Sequence, residues 1–330
     1  MINFEYMRVS TVKAAVDALR KYPDSAVIAG GTNLVDLMKK GVTSPGRLVD
    51  ITNLPLKEII DEGNGLRIGS LVANSDLADD ASVQAAYPLL SQALKAGASA
   101  QLRNMATVGG NLLQRTRCGY FYDTAMPCNK RKPGSGCGAL QGYNRMHAIF
   151  GGSPSCIAVH PSDMCVALTA LDAQVQVSGP AGDRKIAFTD FHRLPGTTPE
   201  KDNNLNKNEL ITGIYIPSNQ FGHRVHYLKV RDRASYAFAL VSVAAALDIR
   251  DGKIVTARLA MGGVAHKPWR LFEAEKALIG KAPAVPAFEQ AAQIAMKDAK
   301  GYGSNNFKLK LAPAAIVEAL SKASGLSSGN

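Results

Sequence analysis

The sequence predicts an α+β protein with more than one domain, and three observations support this fold class. The chain has 330 residues, which is long for a single hydrophobic core. In the first fifty residues, short apolar runs alternate with helical patterns, as in a β-α-β unit. After about residue 200, several apolar runs of strand length precede three helical patterns, which is typical of a sheet covered by helices.

The N-terminal unit can be assigned element by element. Ser10 is placed to cap a first helix, whose apolar residues share one face. Residues 26–29 (AVIA) form a short buried strand, and a Gly-Gly turn leads from it into a helix from about Asn33 to Gly41. The next apolar run, 47–52, is a second strand.

The rest of the chain continues this alternation. The middle patterns are a strand at 66–72, a helix at 87–98, a second Gly-Gly turn within 104–113, a strand-turn-helix-strand pattern within 156–179 and a polar surface loop at 195–208. The later patterns are strands at 209–217, 226–233, 237–249 and 253–264, and helices at 271–280, 286–299 and 312–323. The strands of this last region are expected to be antiparallel.

Composition and charge argue against nucleic-acid binding and against a membrane-spanning segment. The net charge is +11, but the basic residues are spread along the chain without a basic helix or an aromatic platform. We therefore expect no nucleic-acid partner. No apolar run is long enough to span a bilayer, and the first residues lack the basic-then-apolar layout of a signal peptide. Taken alone, the chain is expected to be cytoplasmic.

Two glycine segments indicate a phosphate-bearing ligand. Residues 29–34 (AGGTNL) and 107–112 (TVGGNL) each place two glycines beside Thr and Asn. Glycines let the backbone approach a ligand closely, and consecutive turn amides can cradle phosphate oxygens. Either pair alone is explained by a tight turn, whereas two converging pairs suit a dinucleotide. Neither matches the P-loop or the G-x-G-x-x-G pattern, so a Walker or Rossmann site is disfavoured.

Four of the five cysteines fall within forty residues. They have the spacing C-x9-C-x8-C-x18-C, at Cys118, Cys128, Cys137 and Cys156, whereas Cys165 lies in an apolar helical pattern typical of a core residue. Four thiolates from an irregular loop can bind zinc or an iron–sulfur cubane. Zinc ribbons pair their ligands more closely, so the wide spacing favours a larger group. Disulfides are the alternative if the protein is exported.

The cysteine segment is also strongly basic. Asp123 is its single acidic residue between 114 and 147, where six basic residues occur: Arg115, Arg117, Lys130, Arg131, Lys132 and Arg145. Nearby cations would lower the cost of holding a negatively charged four-thiolate cluster. A solvated loop would explain the same charges.

The motifs VIAGGTNL, TVGGNL, PSDM and YLKVRDRASYAFALVSVAAAL occur in this order over most of the chain. In this they resemble the FAD-binding subunits of molybdenum hydroxylases, the xanthine dehydrogenase family. The resemblance implies a two-subdomain FAD-binding domain of the vanillyl-alcohol-oxidase (PCMH) type, and then an antiparallel sheet plus helices of the CO dehydrogenase flavoprotein C-terminal type. The implied domains are 1–218, with subdomains of about 1–54 and 55–218 and an insertion at about 114–158, and 219–330.

The resemblance also implies the residues that contact FAD. They are Ile28, Ala29, Gly30, Gly31, Thr32, Asn33, Leu34, Thr107, Gly109, Gly110, Asn111, Leu113, Asp163 and Lys229. The first glycine segment would hold the diphosphate, and the second would approach it with Leu113 near the flavin ring. Asp163 matches an acidic position on the adenosine side, and Lys229 matches a lysine near the flavin. Ala237 departs from the family, which often has Asp at that place.

The cysteine segment resembles one subgroup more closely. GGNLLQRTRC, YFYDT, PCNK, PGSGC and HPSD are similar to the FAD subunit of bacterial periplasmic three-subunit aldehyde oxidoreductases. That resemblance implies a [4Fe-4S] cluster with the ligands Cys118, Cys128, Cys137 and Cys156. His160 lies nearby and has two interpretations, a contact to a ligand or a hydrogen-bonded turn residue.

The resemblance implies an electron-transfer subunit. A molybdenum-cofactor large subunit would oxidise the aldehyde, and a [2Fe-2S] small subunit would pass electrons to the FAD of this chain and on to an external acceptor. Export to the periplasm would depend on a signal-bearing partner. Two alternatives stay open: a self-contained flavin oxidoreductase, and a zinc-stabilised binding module without a redox role.

Overall fold

The computed structural model describes residues 1–326, and its three sheets with flanking helices confirm the predicted α+β class. The first elements are β1 (Glu5–Arg8), α1 (Val12–Lys21), β2 (Ser25–Ile28), α2 (Leu34–Lys39) and β3 (Arg47–Asp50). The three strands form a parallel sheet in the order β1-β3-β2. Helices α1 and α2 provide the crossover connections that parallel strands require.

The cap of helix α1 differs from the prediction by one residue. Its N-cap is Thr11, whose hydroxyl accepts a hydrogen bond of 3.1 Å from the Ala14 amide, so the assignment to Ser10 is wrong. Ser and Thr both serve as N-caps, and the sequence alone does not decide between neighbours. Val16 and Leu19 are buried on one face of the helix, as their spacing predicts.

The middle of the chain forms a second, antiparallel sheet. Its elements are β4 (Ile59–Asp61), β5 (Gly65–Gly69), α3 (Asn74–Asp79), α4 (Ala81–Ala86), α5 (Pro88–Ala96), α6 (Ala100–Met105), α7 (Val108–Leu112), α8 (Gly119–Tyr122), α9 (Asp163–Ala170), β6 (Gln174–Gly179), β7 (Gly182–Ala187), α10 (Phe188–Phe191) and β8 (Leu210–Pro217). The strand order is β4-β5-β8-β6-β7. A large hydrophobic core joins this sheet to helices α5 and α9.

Two local predictions in this region are wrong. The second glycine pair lies inside helix α7 and not in a turn, because the Thr107 hydroxyl caps that helix through the Gly110 amide. Residues 156–160 do not form a strand. The Ile157 carbonyl accepts from the Ala148 amide, while the His160 amide donates to Ala265, so this run bonds to two separate segments.

The C-terminal region carries the third sheet. Its elements are β9 (Val225–Val230), β10 (Val241–Arg250), β11 (Lys253–Gly262), β12 (Trp269–Arg270), α11 (Phe272–Leu278), α12 (Val285–Ala295) and α13 (Lys308–Ser324). The antiparallel order is β12-β11-β10-β9, and the three helices share a second core with this sheet. Strand β8, which the pattern grouped with these strands, belongs to the middle sheet instead.

The cysteine segment connects α7 to α9 as a long irregular loop, as predicted. It contains one short helix, α8, and an isolated bridge pairs Cys128 with Cys137. We call residues 114–158 the cysteine loop. Within the described range 1–326, no helix is long and apolar enough to cross a membrane.

Candidate functional site

The two glycine segments meet in a cleft whose smaller part lies between the first two sheets and whose larger part extends to β9 of the third sheet. The cleft consists of two adjoining cavities of about 250 and 570 Å³. Every residue that the sequence predicts to contact FAD lines at least one of them, and Thr32, Asn33 and Gly110 line both. The structure therefore brings the whole predicted set together.

The first glycine segment presents unused backbone donors. Within residues 1–326, none of the amides of residues 30–34 donates a hydrogen bond. Gly31 has φ +71°, a conformation that favours glycine. At Gly30 an added Cβ would lie 1.7 Å from the Met105 carbonyl oxygen, so only glycine fits there. Consecutive free amides in such a loop form an anion-binding concavity.

The second glycine segment is built differently. Its Gly109 amide already donates to the Ser70 carbonyl at 2.8 Å, and its Gly110 amide points to the Thr107 hydroxyl at 3.3 Å. A Cβ on Gly109 would come within 3.0 Å of the Ser70 side chain. This segment therefore contributes close packing against the cleft, whereas the first contributes free donors.

Side chains tie the two segments together. The Asn33 carboxamide oxygen accepts from the Arg115 amide at 2.9 Å, which joins the first glycine segment to the start of the cysteine loop. The Asn111 carboxamide oxygen accepts from the Ser162 hydroxyl at 2.5 Å and from Gln114 at 2.9 Å. Both asparagines are thus held in fixed orientations at the cleft wall.

Three buried polar atoms at the cleft lack partners in the described part of the chain. They are Asn33 Nδ2, Ser70 Oγ and Asn74 Oδ1, and each of these residues lines at least one of the two cavities. A buried polar atom without a hydrogen bond is destabilising by about 1–3 kcal/mol. Their placement, together with the free amides, fits a polar ligand such as a dinucleotide.

Lys229 and Asp163 form one buried ion pair. Lys229 Nζ lies 2.7 Å from Asp163 Oδ2, and the side chains are only 4% and 8% exposed. The Tyr227 hydroxyl donates to Asp163 at 2.7 Å, and burial together with that carboxylate raises the Tyr227 pKa well above its usual value. The resemblance assigns these two residues to different parts of FAD, whereas the structure places them in contact.

The four clustered cysteines line a common pocket inside the cysteine loop. Cys128 and Cys156 are buried, and Cys118 and Cys137 are partly buried. Burial raises the pKa of the Cys118 thiol to about 12 and that of Cys156 to about 11. Without a bound metal these two thiols are protonated at neutral pH, so metal binding would release protons.

The spacing of the sulfur atoms bears on the size of a bound group. Within residues 1–326, no three of the four cysteine sulfurs lie within 4.8 Å of one another. Four thiolates around one zinc ion, each at about 2.3 Å, would lie roughly 4 Å apart. The arrangement is therefore more open than a mononuclear zinc site.

A buried cation lies beside the cysteines and is paired from a distant segment. Lys130, which lines the cysteine pocket, donates to Asp202 at 2.5 Å and to the Pro199 carbonyl at 2.7 Å. Asp202 also pairs with Arg115 at 2.7 Å. Although burial opposes it, these two cations hold the pKa of Asp202 at about 2. The polar stretch 195–208, predicted as a surface loop, thus secures the cysteine loop.

A second buried group contains His160, Cys165 and His192, whose ligand-type atoms lie within 4.8 Å of one another. The two imidazole rings are 4.2 Å apart, and His192 bonds to the Leu112 carbonyl at 2.9 Å. Burial lowers the pKa of His192 to about 4 and that of His160 well below its usual value, so both are neutral. Nothing in the sequence pattern around His192 signals this position.

Comparison with known proteins agrees with this geometry. A family model described as the FAD binding domain in molybdopterin dehydrogenase matches residues 2–219. A second, described as the CO dehydrogenase flavoprotein C-terminal domain, matches residues 226–323. The two models together cover all three sheets.

Individual relatives match between 84% and 99% of the chain. The aldehyde oxidoreductase FAD-binding subunit PaoB of Escherichia coli is 49% identical, covering 98% of this chain and 99% of the relative. The glyceraldehyde dehydrogenase medium chain of Sulfolobus acidocaldarius is 32% identical, covering 84% of this chain and 82% of the relative. A chain of the CO dehydrogenase from Oligotropha carboxidovorans superposes with a TM-score of 0.78 at 26% identity, covering 99% of this chain and 100% of that one.

Proposed function

Since this chain belongs to the FAD-binding subunits of the molybdopterin dehydrogenase family, we propose that it is the electron-transfer flavoprotein subunit of a molybdenum-dependent aldehyde oxidoreductase. The substrate class comes from the relative that is 49% identical over 98% of this chain. A molybdenum-cofactor subunit and a [2Fe-2S] subunit would complete the complex. The observation that carries the proposal is the cleft, in which all predicted FAD residues meet.

The chain's own residues would bind and orient the cofactor. The free amides of residues 30–34 suit the diphosphate, and the unpartnered atoms of Asn33, Ser70 and Asn74 suit its polar groups. FAD, when bound, supplies a carrier that accepts electrons from the partner and releases them to an acceptor. Because Lys229 is paired with Asp163, its positive charge is largely cancelled. The resemblance implies that Lys229 lies near the flavin, which would bring Asp163 to the same end of the cleft.

A [4Fe-4S] cluster is the second cofactor that we propose, with Cys118, Cys128, Cys137 and Cys156 as ligands. The common pocket, the buried ammonium of Lys130 and the fact that no three of these sulfurs lie within 4.8 Å of one another in the described chain support it. An anionic cluster would be stabilised by that cation and by the basic loop around it.

Two cysteine variants test the cluster assignment. Cys128→Ala should lose iron and acid-labile sulfide, because a ligand is removed. Cys165→Ala, at a fully buried cysteine outside the loop, should keep both. Equal iron content in the two proteins would contradict the assignment. If the Cys128→Ala complex still shows rapid flavin reduction by aldehyde, the cluster stabilises the loop and is not required for that electron path.

Aldehyde reduction of the flavin tests the proposed function itself. In the assembled complex, an aldehyde added anaerobically should bleach the flavin absorbance within seconds. The isolated FAD-loaded chain should show no bleaching, since the oxidation takes place on the molybdenum subunit. Bleaching in the isolated chain would mean that this chain is a self-contained flavin oxidoreductase.

A further inference from the structure

A third cavity, of about 500 Å³, lies between the cysteine loop and the cleft. We call it the outer cavity. Asp163 is the one predicted FAD residue that lines it. It shares six lining residues with the larger cleft cavity: Arg117, Met146, Pro161, Ser162, Asp163 and Phe238. The outer cavity therefore adjoins the proposed FAD site. Apart from Asp163, the predicted FAD residues do not line it.

The outer cavity leads from the surface toward the interior. At its mouth, Tyr143 is 68% exposed and Met126 is 44% exposed. At its inner end, Ser242 and Asp163 are buried. A small molecule could thus enter from solvent and reach the wall of the cleft.

The accessible wall of the outer cavity is mainly apolar, and aromatic and thioether groups form part of it beside several charged and polar side chains. Tyr120, Tyr143 and Phe238 present rings, and Met126 and Met146 present sulfur atoms. Aromatic rings and polarisable thioethers pack well against planar aromatic molecules. Its volume is within the range of small-molecule sites.

One cation at the junction of the two cavities has unused donors. In the described chain, the Arg117 guanidinium has no carboxylate within 4.0 Å and donates only to the Arg115 carbonyl. It lies over the Phe238 ring, 5.1 Å from the centroid. By contrast, Arg145, the other arginine of this cavity, is fully engaged by Asp232 through contacts of 2.9 and 2.8 Å.

We infer that the outer cavity binds the external electron acceptor and that this acceptor is a quinone. The ring would pack against Tyr143 and Phe238, and a carbonyl oxygen would accept a hydrogen bond from Arg117. A nicotinamide dinucleotide fits less well, because its diphosphate would find a single unpaired guanidinium. This inference rests on the proposed function, since the electrons come from reduced FAD.

The transfer of electrons and protons from reduced FAD to the quinone needs no further reactant. Reduced FAD loses two electrons and two protons and returns to its oxidised form. The quinone gains both, so that its two carbonyl groups become the hydroxyls of the hydroquinone, which then leaves through the mouth of the cavity.

Gly119 allows the cavity to be filled without disturbing the backbone. It lines the outer cavity, is exposed, and has no atom within 4 Å of an added Cβ. Gly119→Phe should raise the dissociation constant of 2-methyl-1,4-naphthoquinone for the oxidised complex at least about tenfold, measured by equilibrium dialysis. Gly119→Ala, the matched control, should leave it unchanged. FAD and iron contents should be equal in both.

Gly119 directly follows Cys118, a proposed cluster ligand, so Gly119→Phe could also lower the iron content. A second pair of variants tests quinone binding away from the ligands. Tyr143→Ala should weaken naphthoquinone binding, whereas Tyr143→Phe, which keeps the ring, should not. In turnover, KM for the quinone should rise with the loss of binding, while the rate of flavin reduction by aldehyde stays the same.

The inference would be overturned by the absence of quinone binding to the wild-type complex, or by equal binding in the filled and control variants. Saturable binding of NAD⁺ in place of the quinone would also overturn it. Absence of flavin reduction by aldehyde in the wild type would instead refute the proposed function, so the two failures are distinguishable.

Discussion

Asp202 is the residue on which the attachment of the cysteine loop depends most directly. It is the carboxylate that neutralises Lys130, whose side chain is 1% exposed, and it also pairs with Arg115. Removing one partner of a buried ion pair leaves the other charge uncompensated and costs about 3–5 kcal/mol.

The variant Asp202→Asn should therefore lower the free energy of unfolding by about 3 kcal/mol and reduce iron retention. The matched control is Asp17→Asn, which breaks the exposed pair with Lys13 and should change stability by less than about 1 kcal/mol. Urea titration of both proteins measures the difference. Equal stability of the two variants would show that the Asp202 pair does not hold the loop.

Asp202 also makes the folding stability depend on pH, and the direction of this dependence follows from its pKa. The pKa of Asp202 is lowered from 3.8 to about 2 in the folded chain. The folded state therefore binds this proton less readily than the unfolded state does, and stability rises with pH across this range. The contribution of Asp202 is present above about pH 4 and is lost as the pH falls toward 2.

At the scale of secondary-structure elements, helix α13 begins with a lysine that is completely buried. The Lys308 ammonium donates to the carbonyls of His147 at 3.0 Å and Gly263 at 2.7 Å. It thus joins the C-terminal helix to the cysteine loop and to the end of β11. Burial lowers the Lys308 pKa from 10.5 to about 7.

This lysine should make stability depend on pH in the alkaline range. Between about pH 7 and 10.5 the unfolded chain holds a proton on Lys308 that the folded chain has lost. Stability should therefore rise with pH there, by at most about 1.4 kcal/mol per unit. Comparing thermal unfolding of the wild type and Lys308→Met across this range isolates the effect. An identical pH profile for both proteins would contradict it.

Periodicity identified most of the elements, but it failed where contacts between distant segments decide the structure. The run at 156–160 is apolar enough for a strand, yet its hydrogen bonds go to Ala148 and Ala265. The glycines of α7 form a helix because Thr107 caps it and Gly109 packs on Ser70. A local pattern contains neither kind of information.

The candidate sites also combine residues that local motifs predict with partners that come from distant segments. The glycine and cysteine motifs identified the residues that meet in the cleft and in the cysteine pocket, since those signals are local. The partners of Lys130 and of Lys229 were not predictable, because Asp202 and Asp163 lie 72 and 66 residues away. The free amides of residues 30–34 also become visible only when all hydrogen bonds are assigned.

At the scale of the whole molecule, three neighbouring compartments follow one another. The cysteine pocket shares Cys118 and His147 with the outer cavity, and the outer cavity shares Arg117 and Asp163 with the cleft. The cysteine loop therefore both surrounds the proposed cluster and forms a wall of the proposed acceptor site. If both proposals hold, the insertion has a role beside the flavin whether or not the cluster itself carries electrons.

The central claim is that this chain holds both FAD and a [4Fe-4S] cluster. The most direct measurement is the ultraviolet–visible spectrum of the anaerobically purified chain, with iron, sulfide, zinc and FAD quantified on the same sample. We predict flavin bands over a broad iron–sulfur shoulder, with about four iron and four sulfide per FAD. Flavin with zinc and no iron would contradict the cluster, and a colourless protein would contradict the account as a whole.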